Sequence, residues 1–231
     1  MTQMSGDNFS QLTKKMYDRE RPYSGVDLYR VREVVRLVGK GNKVLDLGCY
    51  YGFLGQLFLK NGNEVWGVDI AKEALKKAAA LGLKTKYADV EKEIPFDSES
   101  FDVVVAAEII EHLKDTDRFL EEIHRVLRPN GFLVLTTSNF LSLGRRLFYL
   151  LGKNAYHEAS YTFPPHPAGH LRYFSKDLLL SFLKYHQFEI VSFTSDVVNF
   201  TSDPNSSRHS TFLAKLFPTL GRSLIVKARK I

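Results

Sequence analysis

The chain has 231 residues, of which 44% are hydrophobic, 25% charged and 13% aromatic. This composition is typical of a folded globular protein and excludes disordered, collagen-like and disulfide-stapled classes. Of the net charge of +6, residues 1–139 contribute −1 (20 Lys/Arg against 21 Asp/Glu) and residues 140–231 contribute +7 (12 against 5). The basic C-terminal part is either an ordinary solvated surface or a surface that meets an anionic partner.

The sequence favours a cytoplasmic location. No apolar run approaches the roughly 18 residues of a membrane span, and the N-terminus lacks the apolar core of a signal peptide. The single cysteine, Cys49, excludes an intrachain disulfide and a cysteine-rich metal site. Such a chain suits a reducing compartment.

Strand-like and helix-like segments alternate along the chain, which predicts βαβ units and a parallel sheet covered by helices on both faces. We predict an N-terminal helical cap over 1–40, with an amphipathic helix at Val26–Val38, and an α/β domain over 41–231. Apolar runs rich in β-formers predict strands at Lys43–Leu47, Glu64–Asp69, Lys84–Ala88, Phe101–Ala107, Phe132–Thr137, Phe188–Thr194 and Ser223–Ala228. Helical periodicity predicts helices at Phe53–Leu59, Lys72–Leu81 and Thr116–Leu127.

Two segments interrupt the alternation. Residues 138–174 follow the fifth strand, where ligands bind in open α/β sheets, so this segment is predicted to form a lid. Within it, Phe140–Leu151 is apolar with the adjacent cations Arg145 and Arg146, and it either caps the core or covers an apolar acceptor at an anionic surface. Residues 196–221 are predicted to be a flexible connection, and Pro129 with Gly131 is predicted to separate a helix from the fifth strand.

A glycine turn follows the first strand. In Asp46-Leu47-Gly48-Cys49-Tyr50-Tyr51-Gly52, the glycines allow a tight turn and close approach of a ligand, and the next helix offers free N–H groups. Taken alone, Gly48 and Gly52 are a weak signal, since a plain structural turn has the same pattern.

Three acids follow successive strands: Asp69, Asp89 and Glu108. Because parallel strands end at one edge, these carboxylates are expected to face one crevice, where an acid after the second strand suits a ribose diol. The simpler alternatives are that Asp69 caps the helix starting near Ala71 and that Asp89 caps a short turn.

The motifs VLDLGCYYG, GVDI, YADVEKEIPFDSESFDVVVAAEIIEHL, LRPNGFLVLTT and GHLRYFS resemble those of class I S-adenosylmethionine-dependent methyltransferases, in particular the ubiquinone-biosynthesis O-methyltransferase group. The resemblance covers about residues 17–193. It implies a Rossmann-like, doubly wound seven-stranded sheet whose last strand is antiparallel. It also implies S-adenosylmethionine as cofactor and S-adenosylhomocysteine as product.

The resemblance further implies roles for individual residues. The loop from Asp46 to Gly52 would cradle the methionine end, and Asp69 would hold the ribose hydroxyls. The other residues implied to contact the cofactor are Gly48, Cys49, Tyr50, Ile70 (adenine packing), Asp89 and Val90 (adenine amine), and Ala107 and Glu108 (near the sulfonium). One position departs from the pattern, since the family usually has glycine where Tyr50 stands. If that position needs a positive φ, tyrosine costs roughly 1 kcal/mol or more.

Methyl transfer to a hydroxyl benefits from a base that titrates near neutrality, which points to histidine. His112, after the fourth strand, and His170, in the lid motif, are the best-placed candidates, although the simpler alternative for His112 is a structural histidine with Glu111 or a backbone group as its partner. Of the others, His157 and His166 in the lid are not ranked, and the remaining three are expected to be bystanders. No cluster of His, Asp and Glu has metal-ligand spacing, so no metal is expected.

The sequence therefore predicts a methyltransferase acting on a small-molecule acceptor, most simply at oxygen, with peripheral membrane contact as an added hypothesis. No recognisable nucleic-acid module accompanies the basic charge, which argues against that partner. A catalytically silent cofactor-binding or interaction domain stays open because of Tyr50. A nicotinamide-dependent oxidoreductase would share Asp69 but leaves Asp89 and Glu108 unexplained.

Overall fold

The computed structural model describes residues 27–153, 170–200 and 208–231. Seven helices form in this part of the chain: α1 (Asp27–Val38), α2 (Phe53–Lys60), α3 (Lys72–Ala80), α4 (Thr116–Val126), α5 (Leu143–Leu150), α6 (Lys176–Tyr185) and α7 (Thr211–Leu216). The strands are β1 (Lys43–Leu47), β2 (Glu64–Asp69), β3 (Lys84–Tyr87), β4 (Phe101–Ala107), β5 (Leu127–Ser138), β6 (Phe188–Thr194), β7 (Val198–Asn199), β8 (His209–Ser210) and β9 (Ser223–Lys230). Short 3₁₀ turns lie at Ile110–His112 and Pro218–Leu220.

A seven-stranded sheet organises the fold, with strand order β3-β2-β1-β4-β5-β9-β6. Strands β1 to β5 pair in parallel, whereas β9 is antiparallel to both of its neighbours. This arrangement confirms the Rossmann-like, mostly parallel sheet with an antiparallel last strand. The order changes direction at β1 and β4, which is where open α/β sheets bind ligands.

The central strands are buried on both faces, and this explains their continuous apolar sequence. In β4, Val103 and Val105 point to one face, where they pack with α1, α2 and α3, while Val104 and Ala106 point to the other and pack with α4 and α6. Because α1 contributes Val34, Leu37 and Val38 to the first of these layers, it shares its core with the sheet.

The predicted break before the fifth strand is wrong. Helix α4 ends at Val126, and β5 begins at the next residue, with Leu127 paired to Phe101. The chain accommodates Pro129 by an irregularity, since the register with β4 shifts between Phe101 and Val103 before regular pairing resumes at Phe132. A proline can therefore be tolerated where a ladder is already interrupted.

The predicted flexible connection over 196–221 is also wrong for the residues that the structure describes. They form the β7–β8 pair, α7 and a 3₁₀ turn. Asp196 is buried and accepts hydrogen bonds from the backbone N–H groups of Val197 and Ser223. Its carboxylate also pairs with Arg222, which in turn binds Asp27 of α1. These polar contacts order a segment whose composition is that of a loop.

The lid segment is described only in part. Helix α5 forms within the apolar stretch, and the backbone of Phe140 donates to the carbonyl oxygen of Phe174. His157 and His166 lie outside the described residues. Among the helices that are described, none has the length and apolarity needed to cross a membrane.

Candidate functional site

The turn after β1 is built on two glycines that no other residue could replace without strain. Gly48 has φ +69° and Gly52 has φ +79°, both in the left-handed region. A Cβ at Gly48 would lie 2.8 Å from Cδ1 of Ile109, and one at Gly52 would lie 2.8 Å from the Cα of Ala78. The turn thus packs tightly against α3 on one side and against the segment after β4 on the other.

Tyr50 adopts a positive φ of +48°, which confirms that this position needs the left-handed conformation. Tyr50 is 39% exposed, and its ring contacts that of Tyr51 with centroids 3.9 Å apart and planes inclined by 48°; the ammonium of Lys77 lies 4.5 Å from the Tyr51 ring. The backbone N–H of Tyr50 donates to Oδ2 of Asp69 at 2.8 Å. The tyrosine is therefore accommodated, with its backbone tied to the second strand.

Asp69 ends β2 and holds the turn in place. Its Oδ1 accepts from the N–H of Ala71 at 2.8 Å, while Oδ2 accepts from Tyr50. Ala71 is the N-cap of α3 and no side chain caps this helix, so Asp69 holds the residue before the helix and the expected helix cap does not form. Each carboxylate oxygen has two acceptor sites, so both contacts leave capacity for hydroxyl donors. The next side chain, Ile70, is 60% exposed and presents an apolar surface beside this carboxylate.

Asp89 follows β3 and likewise accepts a local hydrogen bond, from the N–H of Glu91 at 3.1 Å. Lys92 lies 3.4 Å from its other oxygen. Val90 is buried at 8% exposure in the core layer that includes Val68 and Ala106. The turn-capping alternative is thus realised at Asp89. This contact does not exclude a ligand-binding role for the half-buried Asp89 carboxylate.

Asp46 is the buried acid of the site. It is 2% exposed, and its Oδ2 has no hydrogen-bond partner among the described residues. Burial, reinforced by the charge of Asp69, raises the pKa of Asp46 to about 7. The same burial, together with both carboxylates, raises the pKa of the Cys49 thiol, so this cysteine stays a neutral apolar side chain.

Glu108 sits directly after β4 with φ +54°, an unusual conformation for a non-glycine residue. Its Oε2 pairs with Nη1 of Arg30 at 2.9 Å, and its Oε1 accepts from the hydroxyl of Thr136 at 2.9 Å. Both oxygens therefore have partners, and the Arg30 and Glu108 side chains are only 13% and 25% exposed. Helix α1 thereby reaches the carboxyl edge of the sheet.

The structure brings the two predicted histidines together, with the ring centroids of His112 and His170 4.9 Å apart. The N–H groups of Leu171 and Arg172 donate to the backbone carbonyl of Glu111, which holds the second histidine segment against the first. Glu111 is buried, and neither of its carboxylate oxygens has a hydrogen bond of ordinary geometry among the described residues. Burial and the neighbouring Glu108 raise the pKa of Glu111 to about 8.

Glu111, His112 and His170 each offer one donor atom, and these atoms lie within 4.8 Å of one another. Such a trio can share a proton or ligate a cation. The sequence does not reveal this cluster, because His170 is far from Glu111 and His112 along the chain. The expectation of no metal rests on that spacing alone and stays a prediction.

Sequence reasoning missed two residues that shape this site. Arg30 is one of three arginines on α1, and nothing in the pattern singles it out from Arg32 or Arg36. Thr136 is a polar residue inside an apolar strand, and the sequence alone suggests only that its burial is tolerated. The pairing of β4 with β5, in which Ala107 lies opposite Thr136, is what brings the hydroxyl to Glu108.

The residues at this edge fit the cofactor that the resemblance implies. The left-handed turn brings backbone close to a bound ligand, Asp69 has acceptor capacity for hydroxyl groups, and Ile70 offers an apolar surface to a ring. The buried, unpartnered Oδ2 of Asp46 is an acceptor that an ammonium group would satisfy. Adenosine and a methionine moiety carry these groups.

Comparison with known proteins agrees with the geometry. Residues 45–135 match the family model described as a methyltransferase domain. The chain is 32% identical over 143 residues to the ubiquinone biosynthesis O-methyltransferase of Leptothrix cholodnii, a match that covers 57% of this chain and 61% of that protein. It therefore spans less than two thirds of the length of this relative.

Two solved structures share the fold. One is described as an S-adenosylmethionine-dependent methyltransferase, possibly a histamine N-methyltransferase, from Thermotoga maritima; its TM-score is 0.64 at 17% identity, over 97% of this chain and 98% of that one. The other is the [4+2]-cyclase SpnF, with a TM-score of 0.58 at 19% identity, over 88% of this chain and 80% of that one. Residues 45–135 thus match a methyltransferase domain, and the sheet shares the fold of solved structures that are described as S-adenosylmethionine-dependent methyltransferases.

Proposed function

We propose that the protein transfers the methyl group of S-adenosylmethionine to a small-molecule acceptor, most simply to a hydroxyl oxygen. The observation that carries the proposal is the left-handed turn Gly48–Gly52, which follows Asp46, is bonded to Asp69 and lies at the sheet edge where Glu108 follows β4. The name of the Leptothrix relative supports oxygen as the acceptor atom. The cofactor supplies an activated methyl group, so the protein's main tasks are to bind, orient and exclude water.

In this proposal, the predicted contacts hold the cofactor in sequence order along the edge. The turn from Asp46 to Gly52, including Cys49 and Tyr50, cradles the methionine end, and Asp69 accepts from the ribose hydroxyls. Ile70, Asp89 and Val90 surround the adenine. Ala107 ends β4 and Glu108 follows it. Both lie beside the turn, because the next residue, Ile109, packs on Gly48. In this proposal they line the side from which the methyl group leaves.

His112 and His170 supply the proton chemistry on the acceptor side. An imidazole accepts the proton of an acceptor hydroxyl near neutral pH, and a second imidazole at 4.9 Å can orient it. The backbone contacts from Leu171 and Arg172 to Glu111 hold the pair in place. Replacing either histidine with Gln is expected to lower turnover while leaving cofactor affinity within about twofold.

Calorimetric titration with S-adenosylmethionine and S-adenosylhomocysteine tests the cofactor half of the proposal. Binding by the wild-type protein should weaken at least about tenfold in Asp69→Ala, because a charged acceptor of two hydroxyl groups is removed. A matched control is Asp97→Ala, which removes an acid from the loop before β4. Methyl transfer from labelled cofactor to a panel of phenols, catechols and aliphatic alcohols then tests the reaction.

A second candidate is a cofactor-binding domain without methyl transfer, favoured by the strained Tyr50 and by the fold likeness to a cyclase. One fold hosts several chemistries, so topology alone does not choose between them. Cofactor binding with no product from any acceptor favours this candidate. Absence of binding to either ligand contradicts both.

The acceptor side also carries exposed apolar residues. Leu150 and Leu151 at the end of α5 are 82% and 70% exposed, and Phe212 of α7 is 67% exposed. Arg145 and Arg146, for which contact with an anionic surface is one of the two alternatives, donate to the backbone carbonyls of Asn139 and Leu141. The apolar tips, with the +7 charge of residues 140–231, support contact with an anionic bilayer that holds an apolar acceptor.

Vesicle sedimentation tests this contact. The double variant Leu150→Ser/Leu151→Ser should bind anionic vesicles less than wild type, while neutral vesicles bind neither protein. Tyr185→Ser is the matched control, because Tyr185 is 79% exposed but precedes β6 at the opposite edge of the sheet. Equal loss in the control, or none in the double variant, contradicts the membrane contact.

A further inference from the structure

Five charged side chains of alternating sign form a row of ion pairs that runs from the segment after β6 to the candidate site. Asp196 pairs with Arg222 at 3.0 Å, Arg222 with Asp27 at 2.6 Å, and Asp27 with Arg30 at 3.7 Å. Arg30 then pairs with Glu108 at 2.9 Å. Each of these side chains is at most one quarter exposed, so the charges interact in a medium that screens them less than water.

This row of ion pairs ends at Glu108, whose two carboxylate oxygens both have partners. Arg30 binds one oxygen of Glu108 and Thr136 donates to the other, while the left-handed backbone at Glu108 fixes the direction of its side chain. Asp27 pairs with Arg30 and is itself held by Arg222. The position of Arg30 is therefore fixed by its partner Asp27. Glu108 is therefore a carboxylate whose charge is balanced at short range.

We propose that Arg30 is a positioning residue that compensates the charge of Glu108 and thereby limits how strongly the site favours S-adenosylmethionine over S-adenosylhomocysteine. The inference rests on the proposed function, which places Glu108 beside the sulfonium. The two ligands differ there by one methyl group and one positive charge. An uncompensated carboxylate would hold the cation and leave the neutral thioether unaffected.

This compensation has a catalytic reason. The positive charge of the sulfonium disappears as the methyl group leaves, so an interaction that stabilises the charge stabilises the ground state more than the transition state. A bare Glu108 would thus bind the cofactor tightly and slow its reaction. A Glu108 paired with Arg30 keeps the site's shape without that penalty.

The test is the ratio of the two dissociation constants, measured by calorimetry on the full chain. Arg30→Met should raise the preference for S-adenosylmethionine over S-adenosylhomocysteine by about fivefold or more, the value of one nearby unit charge even in a water-like medium. Loss of a purely structural contact would weaken both ligands alike and leave the ratio unchanged. Arg32→Met, on the exposed side of the same helix, is the matched control and should leave the ratio unchanged.

Further variants identify the charge that Arg30 balances. In Arg30→Met/Glu108→Gln the raised preference should disappear, because the uncompensated carboxylate is gone. Arg30→Lys keeps the positive charge and should hold the ratio of the two dissociation constants within about twofold of wild type. It also provides a folded variant if Arg30→Met is unstable. A ratio that rises as much as fivefold in Arg30→Lys contradicts the proposal.

Four results overturn the inference while the proposed function stands: an unchanged ratio in Arg30→Met, a preference that persists in the double variant, a change in Arg32→Met as large as in Arg30→Met, or a fivefold rise in Arg30→Lys. Failure of the wild-type protein to bind either ligand refutes the proposed function and this inference with it. Binding of both ligands with the predicted ratios supports the inference and the cofactor half of the proposed function.

Discussion

Gly52 provides a direct measure of how tightly the cofactor turn is packed. It is the N-cap residue of α2 with φ +79°, and a Cβ there would lie 2.8 Å from both Cα and Cβ of Ala78, closer than real Cβ contacts come. The nearest atoms belong to the backbone and the short side chain of α3, so neither can rotate away. In Gly52→Ala, therefore, either α3 or the turn must move.

The expected loss of stability has two parts. An alanine in the left-handed region costs about 1 kcal/mol, and forcing a methyl group into a packed contact costs typically about 1–3 kcal/mol more. We therefore expect the free energy of unfolding to fall by roughly 2–4 kcal/mol. Because the turn is the predicted methionine cradle, affinity for S-adenosylhomocysteine should fall as well.

Gly62→Ala separates the two parts. Gly62 has a similar φ of +85°, but a Cβ there would meet nothing within 4 Å, so its variant reports backbone strain alone. Urea unfolding followed by circular dichroism gives both values. If Gly52→Ala and Gly62→Ala lose equal stability, the packing of the turn against α3 is not what requires glycine, and the reasoning is refuted.

Two further variants test the buried charges. Because burial and Asp69 raise the pKa of Asp46 to about 7 from an ordinary 3.8, the native protein binds more protons than the unfolded chain between those values, and stability falls as the pH rises through them. Asp46→Asn should remove about 2–3 kcal/mol of the fall between pH 5 and 8, whereas Leu47→Val should lower urea-measured stability equally at each pH. Asp196→Ala removes one of the two carboxylates that pair with Arg222 and leaves the buried N–H groups of Val197 and Ser223 without their acceptor, so it should cost about 3–5 kcal/mol in the same assay, and a loss below about 1 kcal/mol would contradict the row of buried ion pairs.

Most of the fold could be predicted from the sequence because its strands are nearly continuous apolar runs. The predicted bounds of β1, β2, β4 and β6 coincide with the observed ones. The errors arose where polar or breaker residues suggested loops. Leu127 starts β5 despite the nearby Pro129, and the segment after Asp196 is ordered by buried polar contacts that only the tertiary structure creates.

The candidate site was predictable to the extent that it follows strand ends. Asp69 and Glu108 end up at one edge because parallel strands share their direction, which composition and period reveal. Arg30 was not predictable, because its role depends on how α1 lies across the sheet. The same limit applies to His170, whose position beside His112 comes from backbone hydrogen bonds between segments distant in sequence.

The distribution of backbone strain favours function at this edge over a purely structural role. Among the described residues, five non-glycine residues have positive φ; Glu99 and Gln187 lie in loops between elements, and Asn130, a residue type that tolerates this conformation, lies at the irregular start of β5. Tyr50, by contrast, lies in the turn after β1 and Glu108 directly follows β4 at the same edge of the sheet, where glycine would be the less strained choice. Strain of this kind persists only where the surroundings over-determine it, and here the hydrogen bond to Asp69 and the ion pair with Arg30 do so. Both strained residues therefore appear where the side chain itself is needed, which is what a binding site with a chemical task requires.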